Sequence, residues 1–150
     1  MQNLILKNFH LIDCVSNEAI PDASLKIANG LITTITSNGT LIDIEGSQVI
    51  DLQGNWLLPG LWDMHVHLMF PDLAPPTIAE RVIKYGLNAT GGIMQGGVTS
   101  IRTAGTEDWI AVAWRESFNS GSTIGPRIFA AGCILTTTAG HATRHPFSRQ

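Results

Sequence analysis

Two histidines one residue apart, His65 and His67, are the residues whose type and spacing most directly suggest chemistry. On a strand, residues i and i+2 project to the same face. Two imidazoles about 7 Å apart along that face can converge on a single metal ion. Zinc takes histidine nitrogens at roughly 2.0–2.1 Å, and a catalytic zinc keeps one position open for water. Asp63 shares the parity of the pair one step earlier, where it can support the ligands rather than bind the metal. The bare His-x-His pattern also occurs where histidines fill ordinary structural roles, so its place in the fold decides between the two readings. Arg102 is a candidate for gripping a substrate carboxylate bidentately; the competing reading is a structural ion pair at the end of a sheet. His10 and His145 carry no pattern beyond surface or capping roles. The four tryptophans read as core and helix-packing residues.

The elements that must position these residues change character along the chain. Over the first fifty residues the signals are all β: Leu4, Leu6 and Asn8 alternate with Ile5, Lys7 and Phe9. Two β-rich runs, 23–28 and 31–35, flank Asn29-Gly30, and both of those residues tolerate the positive φ that a tight hairpin turn demands. A further short strand fits residues 48–52 and ends before Gln53-Gly54-Asn55. Beyond it, Trp56-Leu57-Leu58-Pro59-Gly60 leads into a predicted strand over 61–67 and a Pro-rich loop over 69–76. Thr77 and Glu80 form a capping box. Ile78, Val82, Tyr85, Ala89 and Ile93 give the helix that follows one apolar face, and Gly96-Gly97 ends it. A second strand fits 98–103. A second helix fits 106–119, with Glu107 and Asp108 in its first turn, where the helix dipole favours them. A third strand fits 127–131. Strand, helix, strand, helix, strand implies a parallel sheet with right-handed crossovers. In such sheets chemistry sits at the carboxyl ends of the strands, where the histidine pair falls.

Composition bounds the function. The chain has 150 residues, a net charge of −3 and 44% hydrophobic residues, which excludes disorder as an explanation. Its nine Lys and Arg are scattered, which argues against a nucleic-acid partner. No stretch approaches the roughly 20 apolar residues of a membrane span, and the first residues lack the basic and apolar regions of a signal peptide. Cys14 and Cys133 are expected to be buried thiols in a reducing cytoplasm.

Residues Leu58-Pro59-Gly60-Leu61-Trp62-Asp63-Met64-His65-Val66-His67 resemble the "PGLID-x-H-x-H" signature of the amidohydrolase superfamily. Val49-Ile50-Asp51-Leu52-Gln53-Gly54 is similar to that family's lead-in. Asn29-Gly30-Leu31-Ile32 resembles a turn of its small β-sandwich domain, and Gly97-Val98-Thr99-Ser100-Ile101-Arg102 its second barrel strand. Gly125-Pro126-Arg127-Ile128 and Thr138-Ala139-Gly140-His141 resemble the pattern around the third strand in the branch containing Xaa-Pro dipeptidase-like enzymes and relatives of imidazolonepropionase. The resemblance implies an α/β fold, the start of a (β/α)8 barrel over 56–150, preceded by part of a small β-sandwich domain over 1–55. It implies a metal-dependent hydrolase of C–N bonds, acting on a small-molecule or dipeptide substrate through a divalent metal, zinc by preference, as one or two ions. His65 and His67 would be ligands, and His141 would face substrate, with a plain loop histidine as its competing reading; the substrate role of Arg102 rests on its own chemistry. The metal would lower the pKa of a bound water to about 7 and polarise the scissile carbonyl.

Thr103 stands where the family places an aspartate after Arg102, and Ala139 replaces the first glycine before His141, so the substrate class is left open. The family's further ligands are a carboxylated lysine after strand 4, histidines after strands 5 and 6 and an aspartate after strand 8. The only lysines are Lys7, Lys26 and Lys84, and none of them follows a fourth barrel strand. A complete barrel needs roughly 250 residues. The expectation is therefore an N-terminal portion of a longer enzyme, inactive by itself. The alternative is a non-enzymatic product that binds or oligomerises through its open sheet edge, with a second copy of the chain as partner.

Overall fold

The computed structural model describes residues 3–38, 46–69, 77–137 and 140. The chain divides into two compact units between Pro59 and Gly60.

The first unit is one four-stranded mixed sheet. Its strands are β1 (Leu4–Leu11), β2 (Ile20–Ala28), β3 (Leu31–Thr36) and β4 (Gln48–Leu57), in the spatial order β3-β2-β1-β4. β2 and β3 form the expected hairpin, with Asn29 at φ 53° and Gly30 at φ 78°. Both values lie in the left-handed region that the turn requires. Phe9, Leu11, Ala23 and Leu25 bury one face, with Leu52 and Leu57 packed against them.

β4 is twice as long as its apolar run suggests, because Gln53-Gly54 is a bulge inside the strand and not its end. β1 and β4 pair in parallel at Lys7↔Asp51 and again at Phe9↔Asn55. Asn8 therefore faces three residues of β4. Asn8, Gln53 and Gly54 all have positive φ, at 57°, 52° and 78°. The Asp51 carboxylate closes the bulge. It accepts the Gln53 amide at 2.8 Å and the Asn8 side-chain amide at 3.0 Å, and Lys7 Nζ stands 3.6 Å away.

The second unit is a three-stranded parallel sheet, β5 (Leu61–Asp63), β6 (Val98–Thr103) and β7 (Arg127–Ala130), in that spatial order. α1 (Ile78–Gly96) connects β5 to β6, and α2 (Ile110–Asn119) connects β6 to β7. Tyr85 and Ala89 of α1, Ile110 and Ala111 of α2, Ile101 of β6, Ile128 of β7, and Val66 and Met69 form one buried core.

α1 begins and ends at its sequence signals. The Thr77 hydroxyl accepts the Glu80 amide at 3.2 Å while the Glu80 carboxylate accepts the Thr77 amide at 2.6 Å. At the other end Gly97 has φ 66° and donates to the Ile93 carbonyl at 3.1 Å. Ile78, the first residue of the expected apolar face, is 55% exposed.

α2 starts four residues later than expected. Residues Glu107–Trp109 form a short 3-10 turn in which Asp108 and Trp109 have φ 55° and 57°. That left-handed pair cannot continue a right-handed helix. Asp108 is thus no partner of a helix dipole; it pairs with Arg81 of α1 at 2.9 Å.

Two other expectations are corrected. Cys14 and Cys133 are free thiols, and both are exposed. Cys14 lies in a turn organised by Asp13, whose carboxylate accepts the Val15 and Ser16 amides, and Cys133 follows the positive-φ Gly132 after β7. Of the tryptophans only Trp114 serves helix packing, donating to the Val82 carbonyl at 2.8 Å. Trp56, Trp62 and Trp109 are each more than half exposed.

Candidate metal centre

His65 and His67 lie just past the carboxyl end of β5, which stops at Asp63. The expected seven-residue strand is therefore three residues long, and strand alternation does not bring the histidines together. Asp63 is the register partner of Ile101. Its carboxylate accepts the His65 amide at 3.1 Å and turns the chain. After the turn Val66 is buried with Ile101 and Ile128. Val66 and Asp63 would project to opposite faces of an unbroken strand.

The turn brings the two rings closer than a strand would. Nε2 of His65 and Nε2 of His67 are 3.1 Å apart, with ring centroids at 5.0 Å and planes at 62°. At metal–nitrogen bonds of roughly 2.0–2.1 Å, that separation subtends about 100° at an ion, close to a tetrahedral angle. The same 3.1 Å accommodates a hydrogen bond between one protonated and one bare Nε2. Both arrangements need the rings to converge, and both residues are exposed. No group of three or more His, Cys, Asp or Glu side chains gathers around a metal position among the described residues.

Arg102 sits beside this pair. Its Nε donates to the Met64 carbonyl at 2.7 Å, and its own carbonyl accepts the Val66 amide at 3.2 Å. The ion pair weighed in the sequence is absent from the described salt bridges; a backbone carbonyl takes its place. Thr103, at the position of the family's aspartate, is buried and its hydroxyl donates to the Gly105 carbonyl at 3.3 Å. His141, His145, Thr138 and Ala139 lie outside the described residues. His10 is in the first unit, its ring 4.9 Å from that of Trp56.

Two features escaped sequence reasoning. One is the grip of Arg102 on Met64, which depends on the register between β5 and β6. The other is the stack of Trp62 on Phe129, at 5.2 Å and 29°, across the sheet. The register pairs Trp62↔Ser100 and Arg102↔Phe129 put those rings on one face, a relation visible only once the strand order is known.

The parallel βαβαβ arrangement, with a histidine pair just past the carboxyl end of its first strand, defines a class of α/β protein, and comparison with known proteins names the family. Residues 56–150 match the model of the amidohydrolase family, and the chain belongs to that family. It is 31% identical over 101 residues to an L-hydantoinase of Paenarthrobacter aurescens, covering 67% of this chain and 20% of that protein. It is 32% identical over 98 residues to an imidazolonepropionase of Pseudomonas putida, covering 63% of this chain and 24% of the relative. Among solved structures it is similar to a Xaa-Pro dipeptidase with bound methionine in the active site, at 32% identity and a TM-score of 0.84. That likeness covers 95% of this chain and 36% of the dipeptidase. The chain thus spans a quarter or less of those curated relatives and about a third of the dipeptidase.

Proposed function

We infer that this chain carries the first two metal ligands of a hydrolase that cleaves a C–N bond in a dipeptide or cyclic amide. The observation that carries the reading is the 3.1 Å convergence of His65 Nε2 and His67 Nε2 at the carboxyl end of β5. That is where parallel α/β folds hold their active sites. The family membership and the likeness to a Xaa-Pro dipeptidase support the reaction class. On this reading β5, α1, β6, α2 and β7 open a (β/α)8 barrel.

His65 and His67 would hold a divalent ion, zinc by preference, through neutral Nε2 atoms. Such an ion supplies a Lewis acid for the scissile carbonyl and a water that ionises near neutral pH. Asp63 fixes the backbone of His65. The terminal nitrogens of Arg102, together with His141, would bind the substrate, with Arg102 facing its carboxylate. Two imidazoles fill half of a four-coordinate ion, so activity needs ligands beyond the described residues. Two exposed free thiols suit a reducing compartment, and we place the protein in the cytoplasm.

The test is hydrolysis of Xaa-Pro dipeptides and cyclic amides by the zinc-loaded enzyme that contains this sequence. Chelation, His65→Ala and His67→Ala should each abolish turnover. Turnover that survives all three refutes the reading.

A further inference from the structure

We propose that Arg102 is a positioning residue for the His65–His67 pair, acting through the backbone that carries it. The inference rests on the reading of that pair as metal ligands. β5 ends at Asp63, so the segment bearing both histidines lies outside the sheet; β6 holds it on the His65 side, and Asn88 of α1 holds it beyond His67 by donating to the Leu68 carbonyl at 2.6 Å. Arg102 contributes twice. Its Nε donates to the Met64 carbonyl at 2.7 Å, and its carbonyl accepts the Val66 amide at 3.2 Å. These contacts bracket His65, whose own amide is held by Asp63 at 3.1 Å. Residues 64, 65 and 66 therefore each have one backbone group tied down.

The side-chain contact carries the argument. A guanidinium donating to a carbonyl makes a charge-assisted bond, stronger than a neutral one, and 2.7 Å is at the short end of the N–H···O range. Register explains why this residue makes it: Arg102 follows Ile101, the partner of Asp63, and so stands alongside the first residue beyond the strand end. The bond spends only Nε. The terminal nitrogens have no partner among the described residues, so holding the loop does not compete with binding a carboxylate. Groups that orient metal ligands from behind typically change metal affinity by about 10–100-fold when removed.

The test uses the chain labelled with ¹⁵N and two readouts. Imidazole ¹H–¹⁵N spectra of the metal-free chain report the rings, and calorimetric titration with Zn²⁺ reports affinity. In Arg102→Met the His65 and His67 resonances should move or broaden while those of His10 stay in place, and zinc affinity should fall about tenfold or more. Arg102→Lys restores a charged donor and should lie between Arg102→Met and the parent in both readouts. Unchanged His65 and His67 resonances in a folded Arg102→Met chain overturn the proposal, whatever zinc does. Shifted resonances in a chain whose parent binds no zinc leave the positioning role standing and remove the metal reading. If Arg102→Met fails to fold, Arg102→Lys decides: displaced histidine resonances support the role, and a spectrum identical to the parent's overturns it.

Discussion

A carboxylate and a phenol show how single residues set the tolerance of each unit. Asp51 accepts the Gln53 amide first and the Asn8 side chain second, and these hydrogen bonds hold its pKa below the usual aspartate value of 3.8. A lowered pKa in the folded state means stability that is present above the ordinary carboxylate range and lost as the pH falls through the lowered value. Asp51→Asn should therefore lower the melting midpoint at pH 7, and the gap from the parent should close as the pH falls below 3.8. Thermal melts across that range check it. Tyr85 is the opposite case. Its hydroxyl is buried without a hydrogen-bond partner among the described residues, and burial pushes its pKa up to about 12. An unpaired buried hydroxyl costs free energy that its removal recovers. Tyr85→Phe should leave chemical-denaturation stability unchanged or raise it by up to about 1 kcal/mol. At this scale the metal-binding candidates were legible from spacing, yet for an incomplete reason. His-x-His suggested convergence through strand alternation, and the structure achieves it through a turn closed by Asp63. A turn beyond a strand end depends on where the neighbouring strand stops pairing, which the spacing of two histidines does not encode.

Elements were legible wherever their signals are local. The Thr77–Glu80 box and Gly97 bound α1 as their residue types dictate, since each satisfies backbone groups within its own helical turn. Thr77→Ala should cost about 1 kcal/mol, read from denaturant unfolding followed by helical circular dichroism. Elements were misjudged where a distant partner decides. Gln53-Gly54 looks like a strand terminator and is a bulge, because β1 resumes pairing at Asn55. The start of α2 looked like Thr106 from its acidic first turn, but Asp108 is drawn to Arg81 on the other helix. Helix–helix contact also fixes Gly86, since a methyl group there would overlap the Trp114 ring. Gly86→Val should destabilise the second unit by about 1–3 kcal/mol, seen as an earlier loss of Trp114 fluorescence on unfolding.

For the whole molecule, alternation of strand and helix after Gly60 announced a parallel sheet, and the sheet follows chain order, β5-β6-β7. That order sets the histidine pair and Arg102 at neighbouring strand ends, so the topology assembles the candidate site from residues 35 or more apart in sequence. The central claim is that His65 and His67 act as one chelating unit. Calorimetric titration of Zn²⁺ into the parent, His65→Ala, His67→Ala and the double variant tests it most directly. If the two imidazoles share an ion, the parent binds zinc, and each single substitution loses nearly as much affinity as both together, because one imidazole alone cannot chelate. Zinc binding in the double variant equal to that of the parent, or no zinc binding by the parent, would contradict the claim.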